Sequence, residues 1–383
     1  MSVVKKLLKV LITGANGFIG KNLQLHLAAR QDVRVVCFTR DHAVDQLPEL
    51  LQGVDFVFHL AGINRPQDPQ EFVLGNTNLT QALCDAVANV AATTGKKVPV
   101  VCSSSIHANC DNLYGHSKRA AENALFALQR SHGVPVHVFR LPNVFGKWCK
   151  PNYNSAVATF CYNIARGLPI QINDPAAPVM LVYVDDVISR FLQLMDGADA
   201  AVDAEGFATV APQQYTSTVG ELARLIQSFK NSRGTLMTER VGAGLVRALY
   251  ASYVSYLPVE AFVYAVPQHG DGRGVFVEMM KTPDCGQFSY FTAHPGITRG
   301  GHYHHTKTEK FLVIKGQARF KFRHMQTGET HERVTRGDKA EIVETVPGWT
   351  HDITNVGDDE MVVMLWANEV FDRERPDTFA CPV

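Results

Sequence analysis

The spacing of apolar residues along these 383 residues changes character once, and that change calls for two folds. From about Lys9 to about Gly242, short apolar runs (Val10–Thr13, Val33–Phe38, Phe56–Leu60, Val98–Cys102, Val136–Arg140) precede amphipathic stretches such as Ile19–Arg30, Thr77–Thr94 and Tyr114–Arg130. Strand–helix alternation of this kind predicts an α/β, Rossmann-type, doubly wound parallel sheet. Beyond about Phe262 the chain reads as short strands between turn signals: Val275–Lys281, Phe288–Thr292, Lys310–Ile314, Ala318–Arg323, Lys339–Val343 and Met361–Trp366. That half is expected to be all β, a small barrel or jelly roll. Leu245–Tyr256 reads as a connecting helix, so the expected domains are 1–243 and 262–383, joined by 244–261. Met1 to Leu8 reads as a ragged extension.

Composition narrows the function classes. Lys plus Arg and Asp plus Glu both total 37, so the formal net charge is zero and a polyanionic partner such as nucleic acid is not expected. The eight cysteines contain no CxxC pair, which suits thiols in a reducing, cytoplasmic compartment. No apolar run is long enough to span a bilayer, and no membrane association is expected.

Gly14-Ala15-Asn16-Gly17-Phe18-Ile19-Gly20 follows the first strand and opens the first helix. Glycines there let the chain turn tightly, and the backbone N–H groups at the helix start can approach a pyrophosphate. Gly14, Asn16, Gly17, Phe18, Ile19 and Gly20 are therefore candidate dinucleotide contacts. At the end of the second strand, an acidic residue would bind the ribose hydroxyls of NAD and a basic one the 2′-phosphate of NADP. Arg40 stands there and Lys21 follows the last glycine, so NADP(H) is expected. Asp41 would reverse the preference if the register shifted by one residue.

Tyr114-Gly115-His116-Ser117-Lys118 opens a helix, and its spacing puts Tyr114 and Lys118 one turn apart on one face. A phenol titrates near 10 when unperturbed, so a neighbouring ammonium is what makes its proton labile at neutral pH. Ser103-Ser104-Ser105 ends the preceding strand, where a hydroxyl could hold a substrate carbonyl oxygen.

The segment Lys9–Gly242 resembles an extended short-chain dehydrogenase of the nucleotide-sugar type. The likeness rests on GANGFIG, on Asp55–Gly62, on Ser105, Tyr114 and Lys118, on Arg140-Leu141-Pro142-Asn143-Val144-Phe145-Gly146, and on Val182–Val187. It implies catalytic roles for Ser105, Tyr114 and Lys118, and favours Ser105 over Ser104. It also implies cofactor contacts at Ala61, Tyr114 and Lys118, and a sugar-nucleotide contact at Asn143. Nine positions separate Ser105 from Tyr114, fewer than is usual in extended members.

In the second half, His302 and His304 lie two apart on an expected strand, so both imidazoles should share a face, where Glu309 and His351 can complete an N/O metal set. Such a set suits Zn, Fe, Mn, Ni or Cu, with zinc the expected divalent ion. Gly296 through Gly316 matches the first motif of the cupin superfamily at every fixed position. Pro347–His351 with Asn355 resembles the second motif, with PG in place of PxG. Asp271–Glu278 resembles the element with which cupin-fold deoxysugar-nucleotide epimerases hold their substrate, implying roles for Arg273 on the diphosphate and Glu278 in orientation.

A reductase fused to a metal-type cupin resembles the bifunctional capsule and O-antigen enzymes of the CapF/WbjC type. The likeness implies a UDP-sugar substrate and a homodimer formed through the cupin. It also implies two steps toward UDP-N-acetyl-L-fucosamine: C3 epimerisation of UDP-2-acetamido-2,6-dideoxy-β-L-arabino-hexos-4-ulose, then NADPH reduction of the C4 ketone to the UDP-β-L-talose derivative. The C3 proton lies α to that ketone, so a base can remove it if the enolate is stabilised. His305, Lys307, Tyr290 and Tyr303 are candidates for that base, and a metal could be a Lewis acid or a structural pin. Two other readings are an NADP(H)-sensing protein with a cupin dimerisation module, and a reductase fused to a cupin oxygenase.

Overall fold

The computed structural model describes residues 7–210, 214–271, 274–277, 279–280, 282, 286–369 and 374–383. The chain packs as two units, neither of them contiguous. The first comprises Met1–Val144 with Met180–Gln214, the second Phe145–Val179 with Tyr215–Val383.

The first unit is built on β1 (Leu8–Thr13), β2 (Val33–Phe38), β3 (Phe56–His59), β4 (Val100–Ser105) and β5 (Val136–Leu141). All pair in parallel in the order β2-β1-β3-β4-β5. Val10, Leu11, Ile12, Val57 and Phe58 are wholly buried, as expected of parallel strands covered on both faces. The chain leaves β1 toward β2 and returns to β3 on the other side, so the strand order reverses at β1. The carboxyl ends of β1 and β3 therefore flank the crevice where doubly wound sheets take ligands.

Helices α1 (Phe18–Ala28), α2 (Leu79–Thr94) and α3 (Leu113–His132) connect these strands. Helices α2 and α3 stop at left-handed Gly95 (φ 72°) and Gly133 (φ 63°). The helix expected from Thr77 begins as a π-helical turn, Val73–Asn78. That wider turn aims Asn76 at the chain after β3: its side chain bonds the N–H and C=O of Ile63 and donates to Ser117 Oγ.

The second unit combines α4 (Val219–Thr235) and α5 (Gly244–Ser255) with β strands. These are β6 (Val263–Ala265), β7 (Gln268–Asp271), β8 (Gly274–Val277), β9 (Gln287–Ala293), β10 (Thr298–Tyr303), β11 (Glu309–Lys315) and β12 (Gln317–His324), followed by β13 (Thr330–Arg336), β14 (Glu341–Thr345), β15 (Trp349–Asn355), β16 (Met361–Ala367) and β17 (Phe379–Ala380). Two five-stranded antiparallel sheets result, β9-β16-β11-β14-β6 and β13-β12-β15-β10-β17, with β7 and β8 as a separate pair. Aromatic rings fill the interior, with centroids 5.3 Å apart for Phe262–Trp349, 5.6 Å for Phe311–Phe320 and 5.7 Å for Phe262–Phe322.

Both fold classes read from the sequence are present. The strands β10, β13 and β15 escaped the apolar-run reading for separate reasons. β13 (Thr-His-Glu-Arg-Val-Thr-Arg) is a polar edge strand, β10 holds Gly300 and Gly301 at positive φ, and β15 interrupts its inward Trp349 and Ile353 with polar His351 and Asn355.

Helix α5, read as a connector, is buried along Ala248–Val254 and stacks Tyr250 edge-on against Phe229 of α4 at 5.2 Å. A buried ionic knot ties these helices to the strands. Glu344 on β14 accepts from Arg233 of α4, from Tyr250 of α5 (3.0 Å) and from Lys310 of β11 (2.5 Å), and Tyr264 on β6 accepts from Lys310 at 3.1 Å.

Candidate functional site

In the first unit, the turn after β1 has the close packing its glycines require. A Cβ on Gly14 (φ 70°) would lie 2.6 Å from Ala61 N, and one on Gly20 would lie 2.4 Å from Gly14 O. Asn16 and Gly17 are exposed at the N-terminus of α1, Phe18 and Ile19 are half-buried, and Ala61 N donates to Thr13 Oγ1 at 3.3 Å. Beyond β2, Asp41 is held in its own turn by the Thr39 hydroxyl (3.0 Å), while Arg40 is exposed.

Ser105 ends β4, and Tyr114 and Lys118 occupy the first turns of α3. The short gap between them is closed by a 3-10 turn, Ile106–Asn109, and by Asn112, whose Oδ1 accepts from Gly115 N at 2.8 Å. Gly115 makes this possible, since a Cβ there would lie 2.2 Å from Cys110 O. Lys118 Nζ stands 6.0 Å from the Tyr114 ring centre and 3.5 Å from Ser103 O. Ser103 and Ser105 share a face of β4 and Ser104 points the other way. The Ser104 hydroxyl is buried, donating to Glu122 Oε1 at 2.5 Å, and Glu122 is itself paired with Arg140 at 2.8 Å. Ser104 is thus committed to a structural network, whereas Ser105 Oγ accepts a 3.2 Å bond from His107 N. Asn143 Nδ2 donates to Met180 O at 3.1 Å.

In the second unit, His302, His304, Glu309 and His351 each offer a ligand atom, and all four atoms lie within 4.8 Å of one another. His302 is in β10 opposite His351 of β15, while His304 lies just past the end of β10, after a register shift at Gly300. The convergence expected from simple alternation is therefore reached through a bulged strand and the turn that follows it. Gly300 (φ 94°) is needed for that bulge, because a Cβ would come within 3.1 Å of Asp352 Cα.

Protonation and hydrogen bonding in this cluster suit a divalent cation. Burial, reinforced by the neighbouring His351 and His304, pushes His302 down to about 3, and burial lowers His351 as well. Burial alone would raise Glu309, but His304 and His351 hold it well below the usual carboxylate range. Neutral imidazoles and an ionised carboxylate at neutral pH are what a metal requires. His304 Nδ1 lies 2.6 Å from Asp377 O, and a carbonyl can only accept, so Nδ1 carries a proton and Nε2, 3.0 Å from Glu309 Oε2, is the nitrogen turned toward the other candidate ligands. Among the described residues, neither nitrogen of the buried His351 has a hydrogen-bond partner, and Glu309 Oε2 lies 3.5 Å from its Nε2. Leaving such a ring unsatisfied costs about 1–3 kcal/mol, which a bound cation would offset.

The candidate bases separate spatially. Lys307 is buried with Nζ 2.7 Å from Thr378 Oγ1 and 3.9 Å from Glu309 Oε1. Tyr303 stacks on Phe379 at 5.4 Å and lies edge-on to His305, and Tyr290 is 72% exposed. Asn355 bonds the backbone of Ala293, Gly357 and Asp359 and contributes no ligand. Arg273 and Glu278 lie outside the described residues. Asp377 escaped the sequence reading because it supports the ligand loop from beyond both motifs.

Residues 10–207 match the NAD dependent epimerase/dehydratase family, and residues 269–379 match the polysaccharide biosynthesis C-terminal domain. A UDP-2-acetamido-2,6-beta-L-arabino-hexul-4-ose reductase of Pseudomonas aeruginosa is 62% identical, over 98% of this chain and 99% of its own. The capsular polysaccharide assembling protein CapF of Staphylococcus aureus has a crystal structure with TM-score 0.65 and 42% identity, covering 98% of this chain and 100% of that one. A CapF structure with the inhibitor 3-isopropenyl-tropolone matches with TM-score 0.61 and 38% identity over the same shares. No described helix is long and apolar enough to cross a membrane. With both family models matched and the likeness running along nearly the whole of both chains, the chain belongs to the NAD dependent epimerase/dehydratase family in its CapF-type form, with a polysaccharide biosynthesis C-terminal domain.

Proposed function

We propose that this protein is a bifunctional UDP-sugar enzyme. Its β half epimerises C3 of UDP-2-acetamido-2,6-dideoxy-β-L-arabino-hexos-4-ulose, and its α/β half reduces the C4 ketone with NADPH to the UDP-2-acetamido-2,6-dideoxy-β-L-talose product. The observation that carries the reductase reading is the 62% identity, over nearly the whole of both chains, to a reductase named for that 4-keto sugar. The functional division follows the sequence pattern, with reductase residues 1–243, a connector 244–261 and an epimerase part 262–383.

In the reductase, NADPH supplies the hydride. Ser105, at the end of β4, holds the C4 carbonyl oxygen, and Tyr114 delivers the proton to that oxygen as it becomes an alcohol. Lys118 favours the phenolate left behind. NADP(H) is preferred because Arg40 is exposed beyond β2, whereas Asp41 is engaged by Thr39. Asn143, Arg273 and Glu278 are assigned to substrate binding.

In the epimerase, His302, His304, Glu309 and His351 hold one divalent metal, with zinc favoured by the three-nitrogen, one-oxygen set. A metal there would act as a Lewis acid on the sugar's C4 oxygen. Inhibition of a CapF by a tropolone, whose adjacent oxygens chelate divalent metals, is in keeping with this. Lys307, near Glu309, is the proton carrier at C3. Dimerisation is assigned to the β half, where Phe288 and Tyr290 are exposed on the edge strand β9. Seven described cysteines, all free, favour a cytoplasmic site of action.

The test is incubation of the purified protein with the 4-keto sugar nucleotide, followed by mass spectrometry and NMR. With NADPH, a product two mass units heavier with inverted C3 is expected, and without it, C3 epimer alone. Failure to oxidise NADPH with this substrate would refute the reductase assignment.

A further inference from the structure

We infer that Asp377, near the C-terminus, is a positioning residue for the metal centre: its main chain fixes the His304 ring, and its carboxylate holds the loop that sets Lys307 beside Glu309. The inference rests on the reading of His302, His304, Glu309 and His351 as a divalent-metal site.

Three successive backbone N–H groups, those of His305 (2.9 Å), Thr306 (2.9 Å) and Lys307 (2.8 Å), point at the Asp377 carboxylate, and the Thr306 hydroxyl adds a fourth bond at 3.0 Å. Converging N–H groups of this kind form a concavity suited to an anion, and here the chain's own carboxylate fills it. The same residue turns its carbonyl onto His304 Nδ1 at 2.6 Å. One residue therefore grips the loop at 304–307 from both its side chain and its backbone.

Asp377 adopts φ 37°, in the left-handed region that side-chain-bearing residues seldom enter, where Asp and Asn are the best tolerated. A glycine would reach that backbone angle more easily but would provide no acceptor for the three N–H groups. The residues that follow carry the support further: Thr378 Oγ1 accepts from Lys307 Nζ at 2.7 Å, and Phe379–Ala380 pairs with Tyr303 and His302 of β10. Residues 377–380 thus brace the turn at 304–307.

A ligating histidine is oriented by the acceptor on its other nitrogen, and removing such a partner typically weakens metal binding 10–100-fold. The bland alternative is that Asp377 only staples the tail to the barrel. Chelator competition would give the zinc affinity of the unmodified protein, of Asp377→Ala and of Asp377→Asn, and the cobalt-substituted forms would give visible spectra. Asp377→Ala keeps the main-chain carbonyl but releases the turn that aims it at His304 Nδ1, so zinc affinity should fall by about 10-fold, the lower end of that range, and the cobalt bands should shift. Asp377→Asn, which keeps one acceptor oxygen and the side-chain shape, should fall between it and the unmodified protein, and decides the matter if the Ala variant does not fold. Unchanged zinc affinity and an unchanged cobalt spectrum in the variants, even with a lowered melting temperature, would reduce Asp377 to a staple and overturn the inference alone. An unmodified protein that binds neither zinc nor cobalt would overturn the metal reading and the inference with it.

Discussion

Lys307 and Tyr303 flank the same ligand turn and both are buried, yet they face different surroundings. Tyr303 lies against Phe379 and His305, and burial raises its hydroxyl to about 12, which keeps it protonated at neutral pH and without a free site to take a proton. Lys307 Nζ sits 3.9 Å from Oε1 of Glu309, a candidate ligand. Lys307→Met is expected to slow deuterium uptake at C3 by about 10²–10⁴-fold, the usual worth of a positioned acid or base, with metal content retained. Tyr303→Phe should exchange at close to the normal rate. NMR in D2O reads both, and full exchange in a metal-replete Lys307→Met protein would remove the lysine from the mechanism. At this scale the sequence was most informative where a helix imposes a spacing, the four-residue step from Tyr114 to Lys118, whereas His302 and His304 converge through a bulge and a turn rather than by simple alternation. It was silent on Asp377, because a main-chain carbonyl acceptor leaves no residue type to recognise. The PG dipeptide that departs from the second cupin motif has a packing cause, since Gly348 (φ 88°) backs onto the Trp148 indole, 3.0 Å from where a Cβ would stand.

Single strand ends and cross-element contacts govern the next level. Beyond β2, Arg40 is exposed and Asp41 is tethered by Thr39, so the unmodified enzyme should prefer NADPH over NADH. Arg40→Ala should lose most of that preference, as measured by kcat/KM with each cofactor. Equal use of both cofactors before mutation would contradict the assignment.

In the second unit, Glu344 holds α4, α5, β6 and β11 together through Arg233, Tyr250 and Lys310, with Tyr264 joined through Lys310. Burial alone would raise its carboxyl, but Lys310 and Arg233 bring it down to about 2 from the usual 4.5. A carboxyl depressed in the folded state stabilises fully above its unfolded value and loses that contribution as pH falls through the folded one. Acid unfolding of this unit should therefore develop between about pH 4.5 and pH 2. Glu344→Gln leaves two buried cations facing each other and should cost about 3–5 kcal/mol in denaturant melts, and should flatten that acid transition. An unchanged melt would mean the knot is solvated. None of this could be read from the chain, because Arg233, Lys310 and Glu344 each look like ordinary surface charges until tertiary packing buries them. The polar strand β13 was illegible for the complementary reason, an edge strand having little apolar pattern to display.

At the scale of the molecule, the periodicity change near residues 243–262 announced both fold classes, and His302, His304, Glu309 and His351 come together in the second unit. The units into which the chain packs follow another partition, because Phe145–Val179 and the helices after Tyr215 pack with the β half. Sequence pattern marks where an element type changes, whereas packing is decided by buried faces such as that of α5, whose partners lie far along the chain. Ser105, Tyr114 and Lys118 nonetheless all fall in the first unit, and the four candidate ligands all fall in the second. Two chemistries on one chain should then be separable by mutation. The most direct measurement is deuterium incorporation at C3, followed by NMR in D2O without NADPH, in the Tyr114→Phe protein before and after metal removal by a chelator. Exchange at the normal rate in the metal-replete variant, loss of exchange on demetallation, and no NADPH oxidation when the cofactor is added are expected. Exchange that persists at the normal rate in the fully demetallated protein, or that disappears with Tyr114→Phe alone, would contradict the assignment of epimerisation to a separate metal centre.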